Sequence, residues 1–121
     1  MPKETILVVD DSPIEMRLVT NVLMGQGYRV ITAADGDEAV VKAAQEKPAL
    51  MVLDVVMPRQ NGFEACRAIK SAPATKDIKI IMLTSKNRKS DHFWGLSQGA
   101  DEYLTKPFNE QDLLAAVARH L

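Results

Sequence analysis

A chain of 121 residues, 46% hydrophobic and 26% charged, has the length and make-up of one globular domain with its own core, not of a disordered segment. Fifteen Lys and Arg against sixteen Asp and Glu leave a net charge of −1, and no basic stripe marks a nucleic-acid surface. The single cysteine, Cys66, excludes an intramolecular disulfide, and no apolar run approaches the roughly 20 residues of a membrane-spanning helix.

Met1 to Thr5 leads directly into an apolar stretch, too short a lead for a secretory signal, so a cytoplasmic chain is expected. Ile6-Leu7-Val8-Val9 reads as a buried strand that stops on Asp10-Asp11. Ser12-Pro13 is a helix start, because Ser caps and Pro is pre-set for the first turn. Met16, Val19, Leu23 and Met24 recur at helical steps and predict a helix that Gly25 and Gly27 end. Tyr28 to Ala33 reads as a second strand. Asp35 with Glu38 forms a capping box. The helix behind it carries Ala39, Val40, Ala43 and Ala44 on its apolar stripe and stops at Lys47-Pro48.

Leu50 to Leu53 is a continuous apolar run ending on Asp54, followed by Val55-Val56-Met57-Pro58. That is the pattern of a central parallel strand covered on both faces. Asn61-Gly62 is a turn signal, after which Phe63, Ala65, Cys66 and Ile69 face inward from a third helix. Cys66 reads as plain core there. Ser71 to Asp77, with Pro73, is a loop. Ile78 to Leu83 is a fourth strand ending on Thr84-Ser85, and Lys86-Asn87-Arg88-Lys89 is a solvated basic loop. Ser90 to Gln98 forms a helix stopped by Gly99. Tyr103-Leu104-Thr105 is a fifth strand ending at Lys106-Pro107. Asn109 caps a last helix whose stripe is Leu113, Leu114, Val117 and Leu121.

Strands alternating with helices predict an α/β fold, a parallel sheet with helices on both faces. Right-handed crossovers bring all strand C-termini to one edge, where open α/β folds place their ligands. Asp10, Asp11, Asp54, Thr84 and Lys106 converge there. Clustered carboxylates repel one another unless something positive sits among them. Lys106 is one such charge; a hard divalent cation, Mg²⁺ or Mn²⁺, is the other. Asp54 is open to three roles: nucleophile, metal ligand or polar strand end. A carboxylate beside Mg²⁺ and a Lys suits a phosphoryl acceptor, with the Thr84 hydroxyl donating to a phosphoryl oxygen. No His or Glu stands near these strand ends as a strong general base, which favours holding a phosphoryl group over fast turnover.

The set Val-Val-Asp10-Asp11-Ser-Pro, Leu-Asp54-Val-Val-Met-Pro with Asn-Gly62, Leu-Thr84-Ser, and Tyr103-Leu-Thr-Lys106-Pro107-Phe resembles the receiver domain of bacterial two-component response regulators, over essentially the whole chain. The resemblance implies a flavodoxin-like (CheY-like) three-layer sandwich of strand order 2-1-3-4-5, as a single domain over 1–121 with no output domain. It implies Mg²⁺-dependent phosphorylation of Asp54 by the phosphohistidine of a histidine kinase. Asp11 and Asp54, with the Val56 backbone carbonyl, match the direct Mg²⁺ ligands, and Asp10 matches the acid that reaches the ion through water. Thr84 and Lys106 match the phosphoryl-binding pair. Lys106-Pro107 matches a peptide bond that is cis in the family. Tyr103 matches a residue that alternates between outward and inward rotamers as Thr84 moves. Its simpler reading is an edge-strand Tyr with its hydroxyl in water.

Ser90 to Ala100 also resembles the stand-alone receivers of type IV pilus and twitching-motility systems. Phe93 and Trp94 stand between core packing and partner contact, and His92 and His120 read as surface residues. The resemblance implies output by protein–protein contact through the fourth helix, fifth strand and fifth helix, from a monomer or weak dimer. A phosphate sink draining a shared kinase is the alternative within the class. A haloacid-dehalogenase-type phosphatase wants Asp-x-Asp after the first strand, where this chain has adjacent acids. A flavodoxin-like electron carrier needs a Ser/Thr/Gly phosphate loop at that same place. Val56, two residues after Asp54, and Lys86, two after Thr84, stand where fast self-hydrolysing receivers carry polar or acidic residues. Slow self-dephosphorylation is therefore expected.

Overall fold

The apolar runs of the sequence become the strands of one parallel sheet. The computed structural model describes residues 4–56 and 61–121, so Met57 and Pro58 of the motif lie outside the described residues. In chain order the elements are β1 (Thr5–Val9), α1 (Pro13–Gly25), β2 (Arg29–Ala33), α2 (Gly36–Glu46), β3 (Leu50–Leu53), α3 (Gly62–Ser71), β4 (Lys79–Thr84), α4 (Lys89–Ser97), β5 (Glu102–Thr105) and α5 (Glu110–His120). The strand order is β2-β1-β3-β4-β5, as expected for the flavodoxin-like fold.

Alternation along the strands splits the core in two. Leu7, Val9, Met51, Leu53, Ile80 and Met82 meet Ala39 and Ala43 of α2 and Cys66 and Ile69 of α3. On the opposite face Ile6, Val8, Leu50, Val52, Ile81 and Leu83 meet Val19 and Leu23 of α1 and Leu113, Ala116 and Val117 of α5. Both faces of the central strands are covered, hence their unbroken hydrophobicity. In register, Val52 pairs with Val8 on one side and Ile81 on the other.

Three stripe residues are misassigned from the sequence. Met24 of α1, Ala44 of α2 and Leu121 behind α5 are exposed, because each lies just beyond the arc its helix turns to the sheet. Val22, not Met24, packs on the core from α1. Gly25 is still helical; Gln26 is the C-cap, and Gly27 supplies the left-handed residue beyond it, at φ 89°. Asn61-Gly62 is a helix start rather than a turn. The Asn61 side chain accepts from Glu64 N, a cap worth about 1 kcal/mol. At α2, Asp35 accepts from Glu38 N as the capping box requires, but Glu38 answers at Ala34 N, one residue further out.

Polar ties hold the far edge of the sheet. The Asp101 carboxylate accepts from Ile80 N and from Lys70 Nζ, each at 2.9 Å, linking α3 to the β4 and β5 ends. Burial pushes the Asp101 carboxyl up, yet those two donors outweigh it and hold it below the usual range. His120 is not a plain surface residue: its Nε2 lies 2.8 Å from Glu102, which Arg119 also engages. Cys66 is fully buried, and burial pushes its thiol up to about 12, which leaves it an inert core residue.

Candidate phosphoacceptor site

β1 and β3 lie side by side, but their crossovers run to opposite faces of the sheet. A crevice therefore opens past their C-terminal ends. Asp10 follows β1 and Asp54 follows β3. Asp54 N donates to Val9 O at 3.0 Å, which locks the two strand ends in register. Both acids are buried, Asp10 at 4% exposure and Asp54 at 8%. Short backbone bonds orient them: Ser12 N donates to Asp10 Oδ1 at 2.9 Å, and Val56 N to Asp54 Oδ1 at 3.1 Å. Each carboxylate thereby keeps its Oδ2 turned to the crevice.

Lys106 answers both. Its Nζ lies 2.8 Å from Asp10 Oδ2 and 3.2 Å from Asp54 Oδ2. The residue is placed by its backbone, since Lys106 N donates to Thr84 O at 2.8 Å, and it precedes a cis Lys106-Pro107 bond. Burial alone would push the ammonium down. Hydrogen bonds to Asp10 and Glu15 and the charge of Asp54 outweigh it and hold the pKa well above the ordinary lysine range. Asp10 goes the other way. Burial raises its carboxyl more than Lys106 and Ser12 N lower it. Thr84 is fully buried beside the crevice and accepts from Lys86 N at 3.4 Å.

Glu15 was not among the residues the strand-end pattern singles out, yet its carboxylate also contacts Lys106. α1 thus delivers a Glu to these strand ends, paired with Lys106, where the sequence alone points to no His or Glu suited to act as a strong general base. A signal was present. Ser12-Pro13-Ile14-Glu15 has the Ser-x-x-Glu spacing of a capping box, and Ser12 accepts from Glu15 N. In a full box the Glu side chain returns to the cap N–H. Here Asp10 already takes that N–H, so Glu15 is released toward Lys106.

Carboxylate oxygens of Asp10, Glu15 and Asp54 lie within 4.8 Å of one another. Three carboxylates against one ammonium leave a formal −2 in a largely buried space. An all-oxygen, doubly negative donor set fits a hard divalent cation. Asp11 is exposed at the rim and outside this cluster.

Tyr103 takes the inward position of its two expected settings. It is buried at 7% exposure, and its hydroxyl donates to Lys86 O at 2.8 Å rather than to water. Burial, then the charges of Asp91 and Asp54, push its phenol up to about 12. His92 is half-buried with its ring on Tyr103, and Phe93 and Trp94 are exposed rather than core. Beside Lys106, a groove of about 500 Å³ runs between α1 and the start of α5, lined by Leu18, Val22, Pro107 and Phe108.

A five-stranded 2-1-3-4-5 sheet with two acids, a Thr and a Lys at its C-terminal edge defines a signalling receiver. The chain belongs to the response regulator receiver domain family, which it matches over residues 6–118. Among individual relatives it is 44% identical to Protein PilH of Pseudomonas aeruginosa over 112 residues, 93% of each chain. Its fold superposes on chemotaxis protein CheY4 of Vibrio cholerae with a TM-score of 0.91, at 37% identity and 98% coverage of both chains. It also matches the CheX–CheY–BeF3–Mg²⁺ complex of Borrelia burgdorferi with a TM-score of 0.92, at 27% identity, covering 98% of this chain and 89% of that one. Several other curated relatives are longer proteins, of which the chain spans about half or less.

Proposed function

We propose that the protein is a free-standing response regulator that takes a phosphoryl group onto Asp54 from a histidine kinase and signals by protein contact. The observation that carries this reading is the single Lys106 ammonium bridging two buried carboxylates, Asp10 and Asp54, at the strand edge beside Thr84. Asp54 presents one oxygen to the incoming phosphorus while Val56 N holds the other. As the new O–P bond forms, the N–P bond to the donor imidazole breaks in line. Lys106 then shifts from the carboxylates to a phosphoryl oxygen, and the Thr84 hydroxyl donates to another. Asp54, the Val56 carbonyl and, from the rim, Asp11 would hold Mg²⁺, with Asp10 reaching it through water and Glu15 remaining on Lys106; the ion would supply charge neutralisation for the phosphoryl oxygens.

The groove between α1 and the start of α5, lined in part by Glu15 and Lys106, supports approach of the donor from that side of the strand edge. Exposed Phe93 and Trp94 support a target bound at the α4, β5 and α5 face, in favour of a signal carrier over a phosphate sink. The match to PilH over nearly all of both chains supports a stand-alone role of the pilus or chemotaxis-like kind; a cytoplasmic place and a monomer or weak dimer complete the proposal. Among the described residues no helix is long and apolar enough to cross a membrane.

Val56 is half exposed and aliphatic, with nothing to orient a water at Asp54. The isolated phosphoprotein is expected to lose its phosphoryl group over minutes or longer, and Val56→Asn to shorten that several-fold. Loss of label in a quenched time course measures it; a lifetime of seconds contradicts it. Rapid turnover of p-nitrophenyl phosphate would favour the phosphatase alternative instead.

A further inference from the structure

A lysine ammonium has three N–H donors and accepts nothing. Lys106 gives one each to Asp10 Oδ2, Asp54 Oδ2 and Glu15 Oε2, so its donors are fully committed. The three acids differ in what else claims them. Asp10 and Asp54 are fixed by backbone N–H groups through their other oxygens. In the receiver reading, on which this inference rests, those two are also shared with the cation and the phosphoryl group. Glu15 is shared with neither. We propose that Glu15 is a positioning residue for phosphoryl transfer, staying on Lys106 while the other two acids change partners and so keeping the ammonium aimed at Asp54.

The surroundings of Lys106 give such a residue work to do. Its backbone is held, since Lys106 N donates to Thr84 O at 2.8 Å, but a flexible four-carbon stem separates that anchor from Nζ. On the α1 side the side chain borders the groove of about 500 Å³, so packing does not confine it there. Glu15 closes that flank by reaching across from the first turn of α1. Its carboxylate is half-exposed, and an ion pair with one partner in water adds little stability, so the fold alone does not account for the contact. The donor count carries through the transfer. As Asp54 Oδ2 bonds phosphorus and the donor's bond to phosphorus breaks, the negative charge on that oxygen passes to the phosphoryl group. The Lys106 hydrogen bond moves with it to a phosphoryl oxygen. Glu15 is then the carboxylate that Lys106 holds alone.

Two measurements on the full chain test this. In EDTA, the urea midpoints of a double-mutant cycle read the contact itself. Glu15→Gln should lower the midpoint in the parent. In Lys106→Met it should raise it, by removing a carboxylate left among Asp10 and Asp54. With Mg²⁺, the rate of Asp54 phosphorylation by acetyl phosphate reads the positioning. Glu15→Ala should slow it on the order of tenfold. Glu15→Asp keeps the charge but is one methylene short, and should slow it as much. Glu15→Gln keeps the reach and an acceptor oxygen, and should stay nearer the parent. Phosphoramidate should give the same factors, because Lys106 serves the phosphoryl group common to both donors. A midpoint shift of the same sign and size in both backgrounds overturns the proposal, as does a folded Glu15→Ala variant phosphorylated at the parent rate. So does Glu15→Asp matching the parent while Glu15→Gln matches Glu15→Ala, which would mean that charge alone acts. A parent that takes up no phosphoryl group sinks the receiver reading and this role together; a labelled parent with an unaffected Glu15→Ala sinks the role only.

Discussion

Gly62→Ala is expected to destabilise the fold by about 3 kcal/mol and to displace the Asp54 backbone with it. A Cβ at this position would sit 2.4 Å from Asp54 O, 2.5 Å from Val55 Cα and 2.9 Å from Asp54 C. Those are backbone atoms and cannot swing aside as a flexible side-chain tip would. Gly62 N also donates to Val55 O at 3.1 Å, so the first turn of α3 cannot retreat without breaking that bond. Helix propensity alone predicts the opposite sign, since Ala in place of Gly gains about 1 kcal/mol. Gly25→Ala is the matched control, for nothing lies within 4 Å of its Cβ. Urea unfolding of both variants measures the contrast. A Gly62→Ala protein as stable as the wild type would contradict the close approach of α3 to Asp54.

Lys106→Met should separate the structural part of the site from its chemistry. In the parent, the buried Lys106 side chain neutralises the buried carboxylates of Asp10 and Asp54. Its loss strands two buried carboxylates and is expected to cost about 2 kcal/mol at neutral pH in EDTA. The pH dependence of the variant follows from Asp10. Its folded pKa is already raised by burial and rises further without Lys106. A carboxyl with a raised folded pKa binds its proton more tightly in the folded state, so stability grows as pH falls and is lost as pH rises through the folded pKa. The variant should therefore gain stability from pH 7 toward pH 5, and added Mg²⁺ should restore most of the loss at pH 7. Stability unaffected by Mg²⁺ would argue against a cation site among these acids.

Much of this architecture is legible because each strand is a short apolar run ending on a chemically distinct residue. Right-handed crossovers then bring Asp10, Asp54, Thr84 and Lys106 to one edge without further information. What escaped was set by tertiary competition. Glu15 reaches Lys106 only because Asp10 occupies the cap N–H, a choice between two carboxylates that spacing does not resolve. Asn61-Gly62 has the composition of a turn, and only the proximity of Asp54 O explains why the first residue of α3 must be Gly. The exposure of Phe93 and Trp94 was undecidable from pattern. α4 meets the sheet through a glycine, so it shows no apolar stripe to orient it.

The receiver reading turns on whether the Asp54 carboxylate is the acceptor. The most direct measurement is mass spectrometry of the intact protein after exposure to acetyl phosphate, followed by borohydride reduction and peptide mapping. The account predicts a single phosphoryl adduct that requires Mg²⁺, maps to Asp54 and is absent from a folded Asp54→Asn variant. An adduct that maps elsewhere, persists in Asp54→Asn, or forms equally well in EDTA would contradict it.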